Sequence, residues 1–174
     1  MNVSVRAERP GEEWLVRAVN DAAFASPLEG SIVDGIRGTD RWIDGGSLVA
    51  EAEDRTIVGH LLLSEGNLAL ETGGRRRIWM VGPVAVMPHR QRQGIGGVLV
   101  RAAIAIATAR DQPILCLLGH ADYYPRFGFE SARAIGIEPP RNWPDASWMV
   151  RRLPAWDASV RGVASFPPAF PDAS

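Results

Sequence analysis

Hydrophobic and polar residues alternate from the start of the chain: Val3 and Val5 interleave with Ser4 and Arg6, the period-two pattern of a strand with one buried face. Pro10 stands where a helix can open, because the N–H it lacks would have had no intrahelical partner there. Behind it Trp14, Leu15, Ala18, Val19 and Ala22 recur at helical spacing and predict one buried stripe. Residues 26–46 are glycine-rich, with one short helix expected over 30–37. Two apolar runs, 47–53 and 56–64, are separated by Asp54 and Arg55 and predict a hairpin. Residues 66–77 read as a turn-rich excursion, although Leu68 and Leu70 can prolong the second hairpin strand. The strongest strand is predicted over 78–86, stopping at Pro88, and the strongest helix over 94–110. Ile95, Val98, Leu99, Ala102, Ala103 and Ile106 should form the apolar face of that helix, and Arg110 suits the negative end of its dipole.

Residues 113–118 are almost wholly apolar, as in a strand buried on both faces. A short helical turn over 121–126, a strand including Ile135 and Ile137, and a last strand over 148–153 complete the series. Beyond Pro154 the prolines Pro167, Pro168 and Pro171 interrupt periodicity, so an irregular or surface-wrapped tail over 154–174 is expected after a domain spanning 1–153. The order strand–helix–helix, three strands, then helix–strand–helix and two strands implies a mixed α/β sheet with helices on both faces.

Composition narrows the function classes. A chain of 174 residues with 46% hydrophobic and 22% charged residues suits one soluble domain. A net charge of -1 supplies no global field for nucleic acid or an acidic membrane, and the Arg75–Arg76–Arg77 cluster reads as a solvated loop. The lone Cys116 excludes an intramolecular disulfide and argues against a cysteine metal site. The N-terminus carries Arg6, Glu8, Arg9, Glu12 and Glu13 where a signal peptide needs an apolar core, so a cytoplasmic protein is the expectation.

The segment that carries chemistry runs from Val84 to Leu99. A strand ends, a basic turn with Arg90 and Arg92 follows, and a helix opens on glycines. Helix N-termini present unpaired N–H groups and partial positive charge, which suits an anion. Gly94, Gly96 and Gly97 leave room for main-chain donors to reach it. It is not a Walker A loop, because Val98 and Leu99 follow where Lys and Ser or Thr are needed. Nor is it the dinucleotide fingerprint, whose third glycine is replaced by Leu99.

Gln91-x-x-Gly94-x-Gly96, after Gly82-Pro-Val-Ala-Val86, resembles the pyrophosphate motif of the GNAT superfamily of N-acetyltransferases. Residues 47–63 look like that family's second and third strands. Leu118-Gly-His-Ala-Asp-Tyr-Tyr-Pro-Arg-Phe-Gly-Phe129 looks like its fifth strand, short helix and Tyr-x-x-x-Gly-Phe ending. The resemblance implies an α/β GNAT-like single domain with a mixed, mostly antiparallel sheet whose parallel fourth and fifth strands splay apart. It implies acetyl-coenzyme A as cosubstrate without a metal, with main-chain groups of Val84 and Val86 pairing the pantetheine amides. Main-chain N–H groups of Gln91, Arg92, Gln93, Gly94, Ile95, Gly96 and Gly97 should hold the pyrophosphate.

Acetyl transfer from a thioester to an amine needs a neutral amine, a donor for the oxyanion and a proton for the departing thiolate. The resemblance gives the proton to Tyr124, four residues before Gly128; the alternative is an aromatic packing beside Phe127 and Phe129. No base is assigned among His120, Asp122, Glu51, Glu53 and Glu65, and Cys116 reads as core. The implied partners are acetyl-coenzyme A and an amine acceptor, with a homodimer left open and neither nucleic acid nor membrane expected. Two other classes are an acyl-coenzyme A sensor without catalysis and an interaction protein using the tail with Trp143, Trp148 or Trp156.

Overall fold

The computed structural model describes residues 3–170. Its elements, in chain order, are β1 (Val3–Ala7), α1 (Glu13–Phe24), α2 (Leu28–Ile36), β2 (Trp42–Ala52), β3 (Ile57–Leu70), β4 (Arg75–Val86), α3 (Ile95–Ala109) and β5 (Ile114–Leu118). Four short strands follow: β6 (Glu130–Ser131), β7 (Ile137–Glu138), β8 (Trp148–Arg152) and β9 (Gly162–Ser165). The strands pair in the order β1-β2-β3-β4-β5-β8-β6, and β9 pairs with both β3 and β7. This is a mixed α/β sheet with a parallel pair, β4–β5, at its centre and a second parallel pair, β7–β9, off the main strand order.

The chain forms two compact units. The first holds the described residues up to Leu63 together with Gly82–Ala103. Within it β1 runs antiparallel to β2, from Val3 opposite Ala52 to Ala7 opposite Leu48. The β2–β3 turn is set by Arg55 at φ 69° and by Asp54, whose carboxylate accepts from the Thr56 N–H at 3.1 Å. Successive residues of β3 then show where the helices lie. A Cβ on Gly59 would meet Ile95 and Leu99 of α3, whereas the His60 side chain meets Asn20 of α1. Neighbouring strand residues point to opposite faces, so α1 and α3 cover opposite faces of this sheet.

The second unit holds Ser64–Val81 and the described residues from Ile104 onward. Here β4 pairs with β5 at Trp79 opposite Leu115 and Met80 opposite Cys116. Among the described residues the β4–β5 ladder ends at Met80, although β4 runs on to Val86. Pro83, in that continuation, brings no N–H to a ladder. On its other edge β5 runs antiparallel to β8, from Ile114 opposite Arg152 to Leu118 opposite Trp148. The core includes Leu68, Ile78, Met80, Ile114, Trp148 and Phe166.

Three expectations need correction. In α1 the buried residues are Val16, Val19 and Asn20, while Trp14 is 69% exposed and Ala18 is also exposed. The helix starts at Glu13 rather than at Pro10, and it turns a polar residue inward because buried His60 needs a partner. In α3 the expected Ile95, Leu99 and Ala103 are buried, but Val98 is exposed and Val100 and Ala107 are buried instead. The chain after Pro154 is not irregular: β9 runs antiparallel to β3 from Asn67 opposite Ser165, and Val160, Ala164 and Phe166 are buried. Pro171 lies outside the described residues. Two smaller revisions follow from β3 and β7. The excursion over 66–77 shrinks to a turn between Leu70 and Arg75, and Ile135 closes a 3₁₀ turn just before β7.

Candidate functional site

The glycine loop is built by returning the chain from β4 into α3. The Met87 N–H bonds to the Val58 carbonyl at 2.9 Å, and Pro88–Arg90 form a 3₁₀ turn. Gln91 folds back so that its side-chain amide donates to the Val86 carbonyl at 3.1 Å, and the Gln93 amide donates to the His89 carbonyl at 3.3 Å. Both side chains therefore brace the turn. The reversal is made by Arg92 at φ 60° and Gly94 at φ 86°. A Cβ on Gly94 would meet nothing within 4 Å, so glycine there answers the left-handed backbone and leaves open space outside it.

The first N–H to Gly94 is that of Val98, at 3.1 Å. The N–H groups of Ile95, Gly96 and Gly97 in the first turn of α3 thus have no helical acceptor. No acidic residue lies in that turn to cancel the positive end of the 15-residue helix. Gln91, Arg92, Gln93 and Gly94 are exposed, Gly96 is half-buried, and Ile95 and Gly97 are buried. Val84 and Val86 are half-buried on β4 beside fully buried Ala85. The arrangement suits a phosphate-bearing ligand approached by main-chain donors. The Gln91 N–H is its weakest element, being already directed at the Pro88 carbonyl at 3.4 Å.

Tyr124 opens a 3₁₀ turn, Tyr124–Phe127, closed by Gly128 at φ 79°. Its ring stands edge-on to Tyr123 at 5.1 Å and to Phe129 at 5.8 Å between centroids. Gly119 lies so close that a Cβ there would fall 2.9 Å from Tyr124 Cδ2. Burial first, and then the neighbouring Tyr123, push the Tyr124 hydroxyl up to about 12. It therefore keeps its proton across the physiological range. Arg151 of β8 donates to the Phe127 carbonyl and holds the far end of the turn.

The carboxylates considered as bases are mostly committed. Glu51 is paired with Arg6 at 2.5 Å, and Glu65 is paired with Arg77. Glu53 lies beside Asp54, His89, Arg90 and Gln93 in an open depression of about 410 Å³. His120 and Asp122 are exposed. Cys116 is fully buried and burial pushes its thiol well up, so it is core rather than nucleophile.

Sequence reading missed two features. One is Gly119; the other is a buried polar chain through His60. Asn20 donates to the Val16 carbonyl at 2.9 Å and to His60 Nδ1 at 2.9 Å, which leaves the ring proton on Nε2. Nε2 then donates to Ser47 Oγ at 3.0 Å, and the Ser47 hydroxyl donates to Glu8, which is paired with Arg37 at 2.9 Å. A histidine inside the otherwise apolar run from Ile57 to Leu63 was the available signal. Among the described residues no group of His, Cys, Asp and Glu could hold a metal ion, and no helix is long and apolar enough to cross a membrane.

Comparison with known proteins is consistent with this geometry. Residues 7–132 match the family model described as an acetyltransferase (GNAT) domain. The chain is 31% identical over 151 residues to an uncharacterized N-acetyltransferase, YjhQ of Escherichia coli (strain K12), covering 84% of this chain and 82% of that protein. A GNAT family acetyltransferase of Brucella melitensis, solved in complex with acetyl-coenzyme A, superposes with TM-score 0.78 at 30% identity, over 97% of this chain and 98% of that one. YhbS of Escherichia coli, solved with coenzyme A, shares the fold with TM-score 0.84 at 23% identity, over 98% and 92% of the two chains. The chain belongs to the GNAT family of acetyltransferases.

Proposed function

We propose that this chain is a cytoplasmic enzyme that transfers the acetyl group of acetyl-coenzyme A to a primary amine of a small molecule or peptide, by direct attack of the amine on the thioester. The observation that carries the reading is the open first turn of α3 behind Gln91-x-x-Gly94-x-Gly96, with its free donors and uncancelled dipole. The relative from Brucella melitensis, whose solved form contains acetyl-coenzyme A, supports the choice of ligand. In this reading N–H groups of Gln91, Arg92, Gln93, Gly94, Ile95, Gly96 and Gly97 hold the pyrophosphate, and main-chain groups of Val84 and Val86 pair with the pantetheine amides. The Val86 carbonyl already accepts from Gln91, so its second lone pair is what remains for a ligand.

The chemistry follows from the groups at hand. The neutral amine attacks the thioester carbonyl carbon and forms the C–N bond. The C–S bond then breaks, and the electron pair leaves on sulfur. Tyr124 donates its hydroxyl hydrogen to that sulfur. A phenol held at about 12 is a weaker acid than a thiol near 8.5, so complete transfer to sulfur is uphill at equilibrium. Its main contribution is then a hydrogen bond to the developing thiolate. The nitrogen gives up one proton to solvent as the thiolate departs, so neutral amine and thioester become neutral amide, coenzyme A thiolate and one proton.

The test is thiol release by the purified protein from acetyl-coenzyme A across a panel of primary amines and peptides. Release that depends on the amine, with the acetylated amine detected by mass, is the expected result. Tight binding of acetyl-coenzyme A with no amine-dependent release across the panel would instead favour a non-catalytic acyl-coenzyme A sensor.

A further inference from the structure

Gly119, the first residue after β5, is not held to glycine by its backbone. Its φ lies outside the left-handed range, and its N–H donates to the Ser147 carbonyl at 2.9 Å. What excludes a side chain is the Tyr124 ring. A Cβ at position 119 would lie 2.9 Å from Tyr124 Cδ2, closer still to Cε2, and 3.0 Å from Leu117 Cδ1. The ring cannot flex, so it would have to swing about its two side-chain torsions. Tyr123 and Phe129 bound it on other sides, with centroids at 5.1 and 5.8 Å. The ring therefore occupies a slot with one wall of bare backbone.

We propose that Gly119 is a positioning residue for acetyl transfer: its missing side chain forms the slot that fixes the Tyr124 ring and aims the hydroxyl. This inference rests on the reading of Tyr124 as the proton donor. Misplacing a reacting group by about 1 Å can cost on the order of 10²-fold in rate. The nearest atoms that a Cβ at 119 would meet belong to Tyr124 and Leu117, neither of which is assigned to the coenzyme. The expected signature is a loss confined to kcat.

The experiment compares the full-length parent, Gly119→Ala, Tyr124→Phe, Tyr124→Ala and the Gly119→Ala/Tyr124→Ala double variant. Kinetics use acetyl-coenzyme A with whichever panel amine the parent acetylates. Gly119→Ala should lower kcat by about 10²-fold while KM for acetyl-coenzyme A stays within about twofold. Thermal unfolding supplies a second readout. Gly119→Ala should lower the midpoint in the parent, but much less in the Tyr124→Ala background, where the ring is gone. Tyr124→Phe at full kcat would overturn the donor reading, and this inference with it. A slow Tyr124→Phe beside an undiminished Gly119→Ala, or equal thermal losses in both backgrounds, overturns the inference alone.

Discussion

Tyr124 and His60 are both titratable groups driven by burial, and the direction of each shift sets its use. Burial raises the Tyr124 hydroxyl to about 12, so the proton is retained at any working pH. Tyr124→Phe should lower turnover by roughly 10²–10⁴-fold while leaving coenzyme affinity and folding nearly unchanged, because the ring and its edge contacts remain. Tyr123→Phe is the control and should do much less; steady-state kinetics of both variants with one acceptor decide it. His60 is shifted the other way, to about 3, first by burial and then by Arg37. Its folded value lies below the unfolded 6.5, so the unfolded chain binds the proton more readily. The stability tied to neutral His60 is complete above about pH 6.5 and is lost as pH falls toward 3, by a few kcal/mol in all. Urea midpoints at pH 7 and pH 4.5 should therefore differ more for the parent than for His60→Gln. Equal differences would place the acid sensitivity elsewhere.

At the scale of elements, the strand–turn–helix from β4 to α3 is where sequence and structure agree most closely. Its glycines, its proline and the apolar period of the helix are all local signals, and the helix runs Ile95–Ala109 where 94–110 was expected. Gly96→Glu puts bulk and a negative charge among the donors of that first turn. Placing like charges together costs several kcal/mol, so calorimetry should show coenzyme A binding weakened by at least about 10²-fold in a folded variant. Unchanged affinity would remove the loop assignment. What local pattern could not supply is equally specific. The inward face of α1 depends on what β3 presents, and it presents a buried histidine, so Asn20 turns inward and Trp14 outward. The slot at Gly119 depends on how the turn after β5 folds back. The spacing that singled out Tyr124 carries no record of that close approach.

At the scale of the whole chain, the segment after Pro154 changes status most. Proline content suggested a tail, yet β9 supplies ladder partners to β3 over Asn67–Leu70 and to Ile137 and Glu138 of β7. Gly162, at φ 146°, lies against the Ala69 carbonyl so closely that no side chain would fit. Phe166 meets Trp143 edge-on with ring centroids 5.3 Å apart and lies tilted against Trp148 at 5.9 Å, and Trp148 is fully buried. These aromatics pack against one another, which argues against a segment kept for an outside partner. Fully burying a valine or phenylalanine side chain contributes about 1.5–3 kcal/mol. Losing Val160 and Phe166, along with the cover over Trp148, removes an amount comparable to a total stability of about 5–15 kcal/mol. A chain ending at Pro154 should therefore lose cooperative unfolding or melt far below the full-length protein, and it should bind an apolar dye such as ANS. Thermal circular dichroism with dye binding checks this. A truncated chain that keeps its midpoint and excludes the dye would show that β9 merely rests on the sheet.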